Sequence, residues 1–219
     1  MAIEVFWGSG SPFAWRVLLA LEAKRLSYES HLLEFSRREH QTPAYLALNP
    51  RGKVPTLRDG GYLIYESIAI LAYLDRKYPE TPLFGATAEE AGAVWQAICE
   101  TVSYLEQTTD GFILPIYRNQ AAEKADQLRA LLPPIHVELA RLEDRLRHRA
   151  WLATPALSAA DLAAYPFVKS LLRAAGKPAA AAFEHDLLPL SKKYPALDAW
   201  LGRVEALPGY ERTYPPHWR

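Results

Sequence analysis

The spacing of hydrophobic residues changes period twice near the start of the chain. Residues 3–7 alternate like a strand, whereas apolar residues within 17–26 recur at helical spacing. Pro12 lies between the two runs and suits the first position of a helix, where its missing N–H is not needed. A weakly alternating run at 28–33 completes a strand–helix–strand unit. Such a unit predicts a parallel pair of strands.

The residues that follow carry a hairpin signal between two helical patterns. A short helical piece is predicted to end near Leu48. Two short apolar runs, at 54–57 and 62–64, are joined by Asp59-Gly60-Gly61, which is typical of a β-hairpin. A second helical pattern begins at Glu66-Ser67. The predicted order of the first half is therefore β-α-β-α-β-β-α.

The pattern changes after residue 79. Residues 80–87 combine proline and glycine without periodicity, which indicates a linker. From residue 88 to residue 219 apolar residues keep only helical spacing. The sequence thus predicts an α/β domain at 1–79 and an all-helical domain of about five helices at 88–219. Its tail at 210–219, rich in aromatic residues and proline, is expected to be irregular.

Two local signals lie in the helical half. Ser158 and Asp161 have the spacing of a capping box, with the aspartate as acceptor, so we expect a structural role for both at the start of a helix. Pro133 and Pro134 interrupt a run with helical spacing. Because proline removes an intrahelical hydrogen bond, we expect this pair to kink or break the helix.

The charge balance and the cysteine count narrow the possible partners. The chain has 25 basic and 25 acidic residues without a long block of one sign, so we expect no nucleic-acid partner. The N-terminus does not have the pattern of a signal peptide, and no apolar run reaches membrane-spanning length. We therefore expect a cytoplasmic protein without membrane contact. Cys99 is the only cysteine, which excludes an intrachain disulfide and a cysteine-rich metal site.

The turn before the first helix carries candidate chemistry. Backbone N–H groups and the helix dipole favour an anion beside Ser11, and they favour the thiolate form of a thiol there. The Ser11 hydroxyl could hold the thiolate of a bound molecule. The alternative is that Ser11 only caps the helix, which is the commoner role of such a serine. Ser9 is a rival hydroxyl in the same turn.

Four motifs in a fixed order extend this interpretation. They are Ser11-Pro12-Phe13 before Trp15-Arg16-Val17, Asn49-Pro50-Arg51-Gly52-Lys53-Val54-Pro55-Thr56-Leu57, Glu66-Ser67, and Ser158-x-x-Asp161. Together they span most of the chain, and they resemble the cytosolic glutathione transferases of the serine-type classes (tau, zeta, theta and delta). The resemblance implies a thioredoxin-like domain that binds glutathione, followed by a helical-bundle domain.

The resemblance implies roles for residues near the glutathione sulfur. Ser11 would be the catalytic residue that donates a hydrogen bond to the sulfur and favours the thiolate. Val54 would pair its backbone with the cysteinyl part of glutathione. Pro55 would be structural, with a cis Val54–Pro55 peptide bond, which is a conformation nearly confined to proline.

The same resemblance implies roles at the two ends of glutathione. Glu66 would hold the γ-glutamyl ammonium, and Ser67 would hold the γ-glutamyl carboxylate with help from a helix N-terminus. His40 and Lys53 would face the glycyl carboxylate. Each has an alternative: His40 and Lys53 could be solvated loop residues, and the Glu66-Ser67 pair could merely cap a helix.

The implied activity is transfer of reduced glutathione, the co-substrate, to an electrophilic and hydrophobic small molecule, in detoxification. No bound cofactor and no metal are implied, and a homodimer is expected. Two other classes stay open: another glutathione-dependent enzyme (peroxidase, dehalogenase or isomerase) and a non-catalytic binding module. The electrophile would sit between the domains. The aromatic candidates to line its pocket, which could equally belong to the core, are Trp7, Phe13, Tyr104, Phe112, Tyr117 and Tyr165.

Overall fold

The first half of the chain forms a mixed four-stranded sheet. The computed structural model describes residues 2–219. Its strands are β1 (Ile3–Trp7), β2 (Tyr28–Leu32), β3 (Thr56–Asp59) and β4 (Tyr62–Tyr65), in the spatial order β2-β1-β3-β4. β1 is parallel to β2, antiparallel pairing joins β1 to β3, and β3 and β4 form the predicted hairpin.

Three helices accompany this sheet: α1 (Pro12–Ala23), α2 (Pro43–Leu48) and α3 (Ser67–Lys77). Val5 of β1 lies opposite Leu57 of β3, and both side chains are fully buried. α1 packs against α3, with Val17 and Leu71 also fully buried. The predicted β-α-β-α-β-β-α order and the thioredoxin-like fold are confirmed.

The second half is helical. Its helices are α4 (Ala88–Glu100), α5 (Glu106–Tyr117), α6 (Ala125–Leu146), α7 (Ala159–Ala175), α8 (Pro178–Ala181) and α9 (Pro195–Glu205). A π-helical segment, Thr101–Leu105, joins α4 to α5. α7 is buried along nearly its whole length, which identifies it as the central helix of this half. Among the described residues, no helix is both long and apolar enough to cross a membrane.

The sequence predicts that Pro133 and Pro134 kink or break their helix, and the prediction of a break is wrong. Both prolines lie inside α6, which continues as one helix of 22 residues. Leu128 lies before the prolines, and Leu139 and Leu146 lie after them; all three are buried. Burial of apolar residues on both sides of the prolines offsets the loss of two backbone donors.

The predicted capping box at the start of α7 is confirmed. The carboxylate of Asp161 is fully buried and accepts hydrogen bonds from the Ser158 backbone N–H (3.0 Å) and hydroxyl (2.9 Å). It also accepts from the Leu152 N–H and the Trp200 Nε1–H, each at 2.9 Å. Burial raises the pKa of Asp161, and these four donors oppose that shift. One carboxylate therefore joins α7 to α9 and to the chain before α7.

The last residues of the chain belong with the sheet, which corrects the predicted domain boundaries. The chain divides into a first unit, Met1–Leu83 with Leu207–Arg219, and a second unit, Phe84–Ala206. The sequence places the tail at 207–219 within the helical domain at 88–219 and predicts an irregular conformation for 210–219, but this tail contains the short helix α10 (Tyr210–Thr213). It instead packs on α1, because the buried Trp15 Nε1–H donates to Thr213 Oγ1 at 2.9 Å.

We expect Asp161→Ala to destabilise the protein by more than about 3 kcal/mol, because it leaves several buried donors without an acceptor. Urea unfolding followed by circular dichroism measures this. Asp144→Ala is the matched control: Asp144 is exposed on α6, and its one ion pair within the described part of the chain is with the exposed Arg147, so its removal should cost less than about 1 kcal/mol. Equal losses from the two variants would contradict the assigned role of Asp161.

Candidate active site

A cavity of about 510 Å³ lies in the first unit, between the loop before β3 and the start of α3. It brings together five residues that the sequence assigns to glutathione binding or to its support: Lys53, Val54, Pro55, Glu66 and Ser67. The same cavity is lined by Phe13, Asn49 and Arg51, to which the sequence gives no glutathione role.

Hydrogen bonds from buried side chains fix the conformation of the loop at 49–55. Its Val54–Pro55 peptide bond is cis, as predicted. The buried Asn49 donates from Nδ2 to the Lys53 carbonyl (2.8 Å) and accepts from the Arg51 N–H (3.1 Å). The Tyr45 hydroxyl donates to the same carbonyl at 2.6 Å, and burial raises the pKa of Tyr45, which keeps it protonated. The backbone near Val54 is therefore fixed before any ligand arrives.

Glu66 has an unusual backbone conformation at the edge of the cavity. Its φ of +71° and ψ of 109° lie in a region that costs a non-glycine residue about 1–3 kcal/mol. Its side chain is exposed, and Oε1 lies 3.6 Å from Nε of the exposed Arg51. Such strain is typical of functional positions, and here it directs a carboxylate to the cavity.

Ser67 follows as the first residue of α3, so the positive end of the helix dipole faces the cavity. The Ser67 side chain is buried, and its Oγ accepts a hydrogen bond from Arg16 Nη1 at 3.4 Å. The Arg16 guanidinium is itself buried and lies 5.4 Å from the centre of the Phe13 ring. A buried positive charge thus lies directly behind two residues that line the cavity.

Ser11 is the N-cap residue of α1, which is one of its two predicted roles. Its Oγ accepts from the Ala14 N–H at 3.3 Å, and its backbone N–H donates to the Gly8 carbonyl at 3.1 Å. The hydroxyl hydrogen of Ser11 has no acceptor among residues 2–219. Ser9, the rival, is hydrogen bonded to Nδ1 of His217 at 2.6 Å. Ser11 does not line the 510 Å³ cavity, but Phe13, two residues later, does.

His40 is not brought to the cavity. It lies in a short 3₁₀ turn, Glu39–Gln41, and its ring packs edge-on against Phe35 with 5.1 Å between centres. Its Nδ1 is buried and has no hydrogen-bond partner among the described residues. Phe35 in turn covers Gly8, since a Cβ at that glycine would overlap the Phe35 ring. His40 therefore contacts the turn region through Phe35.

The six aromatic candidates for the electrophile pocket divide into buried and accessible residues. Phe112 and Tyr165 are fully buried in the helical unit, and Trp7 is buried with its Nε1–H donated to Ser30 Oγ at 2.7 Å. Core packing leaves these three almost no accessible surface, which argues against a pocket-lining role for them. Those that remain accessible are Phe13, Tyr104 and Tyr117.

One cluster on the sheet contains groups of the kind that bind metals. Oxygens of Glu4 and Glu29 and a ring nitrogen of His31 lie within 4.8 Å of one another. Arg58, however, donates to both Glu4 oxygens, at 2.8 and 2.6 Å, and this pairing holds the pKa of Glu4 below its usual value. The cluster is therefore accounted for as an ion-pair network between neighbouring strands, and we assign it no metal.

Comparison with known proteins places similarity over both units. Residues 10–77 match the family model for the glutathione S-transferase N-terminal domain, and residues 108–208 match that for the C-terminal domain. The chain is 30% identical to glutathione S-transferase 2 of Schizosaccharomyces pombe, over 94% of this chain and 92% of that protein. It is 27% identical to glutathione S-transferase A of Pleuronectes platessa, over 99% and 92% of the two chains.

A solved structure is also similar to this chain over its whole length. The glutathione S-transferase from the Antarctic clam Laternula elliptica superposes with a TM-score of 0.86 at 32% identity. The match covers 100% of this chain and 94% of that chain.

We expect Asn49→Ala to lower the free energy of unfolding by about 1–3 kcal/mol, because it removes hydrogen bonds inside the 49–55 loop. Thermal and urea unfolding measure the loss. Gln127→Ala is the control, since this exposed amide on α6 has no hydrogen bond to a described residue. A loss for Asn49→Ala no larger than for Gln127→Ala would contradict the role given to Asn49.

Proposed function

Because the chain belongs to the glutathione S-transferase family, we propose that it joins the thiolate of reduced glutathione to an electrophilic, hydrophobic small molecule. The observation that carries this proposal is the Ser11 hydroxyl, whose hydrogen has no acceptor among the described residues at the N-terminus of α1. A hydroxyl that donates to none of the described residues is available to donate to a ligand sulfur.

The reaction requires a thiolate at neutral pH. A free thiol has a pKa of about 8.5 and is therefore mostly protonated. In the proposed complex Ser11 donates a hydrogen bond to the sulfur, and the N-terminus of α1 adds a favourable field; both lower the thiol pKa. The sulfur then attacks the electrophilic carbon to form a C–S bond. The displaced group leaves with its electron pair.

The charges around the cavity support glutathione as the thiol. Its thiolate form carries two carboxylates, one ammonium and the sulfur anion. The cavity presents Arg51 and Lys53 as cations and Glu66 as an anion, with the buried Arg16 behind Ser67. Cations therefore outnumber anions, as the ligand requires. This arrangement also favours the thiolate over the neutral thiol.

Each end of glutathione has a proposed partner. The γ-glutamyl ammonium replaces Arg51 as the partner of Glu66, and the γ-glutamyl carboxylate binds Ser67 and the N-terminus of α3. The Val54 backbone pairs with the cysteinyl residue. We assign the glycyl carboxylate to Lys53, with His40 as a second candidate whose buried Nδ1 has no hydrogen-bond partner within residues 2–219.

For the electrophile we propose a contact with Phe13, which lines the cavity of the first unit. A turnover screen with glutathione against aryl halides, isothiocyanates, hydroperoxides and haloacids identifies the reaction. Turnover of hydroperoxides or haloacids alone would favour a peroxidase or dehalogenase, and glutathione binding without any turnover would favour a binding module.

We propose that the protein acts in detoxification in the cytoplasm as a homodimer. Trp95 of α4 and Val102 of the π-helical segment are 43% and 40% exposed, and a second copy could cover such apolar side chains. Light scattering at micromolar concentration should give a mass near twice the chain mass of 24.6 kDa. A mass near 24.6 kDa would contradict the dimer.

Glu66→Gln and Ser67→Ala should raise the KM for glutathione about tenfold with a smaller change in kcat. Both residues are assigned to the γ-glutamyl end, which is remote from the sulfur, so their contribution should be similar in the ground and transition states. Initial rates at varied glutathione concentration measure this. Glu123→Gln, at an exposed position in the helical unit, should leave KM unchanged. A loss of kcat at constant KM would contradict the assignment.

Ser11→Ala should lower kcat/KM roughly ten- to a hundredfold, the effect of one hydrogen bond to a charged acceptor. The pH profile should shift to higher pH, because the bound thiol loses its donor. The loss of the helix cap should cost about 1 kcal/mol of stability. Ser27→Ala, at an exposed serine between α1 and β2, is the matched control. An unshifted pH profile in Ser11→Ala would rule out Ser11 as the donor.

A further inference from the structure

The tail at 207–219 is anchored on the first turn of α1. Trp15 is 2% exposed, and its indole N–H donates to Thr213 Oγ1 at 2.9 Å. The rings of Tyr214 and Trp218 meet the Trp15 ring edge-on, at 5.9 and 5.3 Å between centres. The Trp15 backbone N–H donates to the Ser11 carbonyl at 3.0 Å. The tail thus packs on the helical turn that Ser11 caps.

The anchored tail places His217 against the turn that contains Ser9 and Gly10. Nδ1 of His217 lies 2.6 Å from Ser9 Oγ. Its ring also lies against Gly10, which has a φ of +81° and where a Cβ would approach His217 Cε1 to 2.7 Å. Close packing of the imidazole therefore requires that residue 10 have no side chain, and the positive φ at this position independently favours glycine.

The indole of Trp218 determines which atom is the donor in the hydrogen bond between His217 and Ser9. Trp218 Nε1–H donates to His217 Nε2 at 3.0 Å, and an indole N–H can only donate. Nε2 is therefore the unprotonated nitrogen of a neutral imidazole. Nδ1 carries the hydrogen and donates to Ser9 Oγ.

The turn needs an anchor of this kind. It runs from Gly8 to Ser11 and contains two glycines, which allow more backbone conformations than other residues do. Within it, the Ser11 N–H donates to the Gly8 carbonyl at 3.1 Å. A hydrogen bond to a sulfur anion depends on placement of the donor to within about 0.5 Å. Fixing Ser9 from outside the turn therefore also restricts Ser11.

We propose that the tail at 207–219 is part of the catalytic apparatus, and that His217 is a positioning residue that holds the Ser9–Ser11 turn for the reaction. The proposal rests on the proposed transferase function for its kinetic consequence. The structural part of the proposal, that His217 orders the turn, does not depend on any activity.

The direct test is His217→Ala. It should lower kcat/KM about two- to tenfold, the effect of one neutral hydrogen bond, and raise the apparent pKa of the pH–rate profile. His217→Asn should restore most of the rate, because an amide nitrogen can donate from nearly the position of Nδ1. His148→Ala, at an exposed histidine of the helical unit, should change neither quantity. An unchanged rate and profile in His217→Ala would overturn the proposal.

A double-mutant cycle separates positioning through Ser9 from a general loss of stability. Ser9→Ala and His217→Ala should each lower kcat/KM by a similar factor, and the double variant should fall no further than the single variants. Multiplicative losses in the double variant would show that His217 does not act through Ser9, and would contradict the proposal.

Hydrogen exchange gives a readout that needs no substrate. Backbone amides within 8–13 should exchange about threefold or more faster in His217→Ala than in the parent protein, with global unfolding unchanged. Equal exchange would overturn the positioning role. If the parent protein turns over no electrophile, the transferase proposal fails, yet this exchange measurement still decides whether His217 orders the turn.

Discussion

The proposed function depends on the backbone turn that joins β1 to α1. The turn closes with the Ser11 N–H on the Gly8 carbonyl, and the Ser11 oxygen accepts the Ala14 N–H as a helix cap. The same hydroxyl therefore uses its acceptor for structure, and its hydrogen has no acceptor among residues 2–219, as the proposed donation to a ligand requires. Capping and catalysis, which are alternatives when only the sequence is considered, are compatible in one side chain. The dipole of α1 acts at the same point and favours a thiolate.

Local signals predicted most of the first unit. Pro12 and the Asp59-Gly60-Gly61 turn determine the backbone within a few residues, so the helix start and the hairpin could be placed without tertiary information. The family resemblance, rather than any local signal, implied the Val54–Pro55 cis bond and a shared site for Glu66 and Ser67, which line one cavity. The capping box at Ser158 was predictable from its local spacing.

Features that depend on long-range packing were not predictable. Trp15 and Thr213 are 198 positions apart, so no local pattern could assign the tail to the first unit. Arg16 is charged, and charged residues are usually exposed. In the structure, however, it is buried on α1 and donates a hydrogen bond to Ser67. Phe112 has an aromatic side chain like that of a pocket residue, but packing decides that it is fully buried. Periodicity identifies a buried face, not the neighbours that cover it.

The central claim is that this protein stabilises the thiolate of bound glutathione. The most direct measurement is an ultraviolet difference titration of thiolate absorbance in the complex of the parent protein with glutathione, without electrophile. We expect an apparent thiol pKa at least about one unit below the value of about 8.5 for a free thiol. A bound thiol that titrates like free glutathione would contradict it.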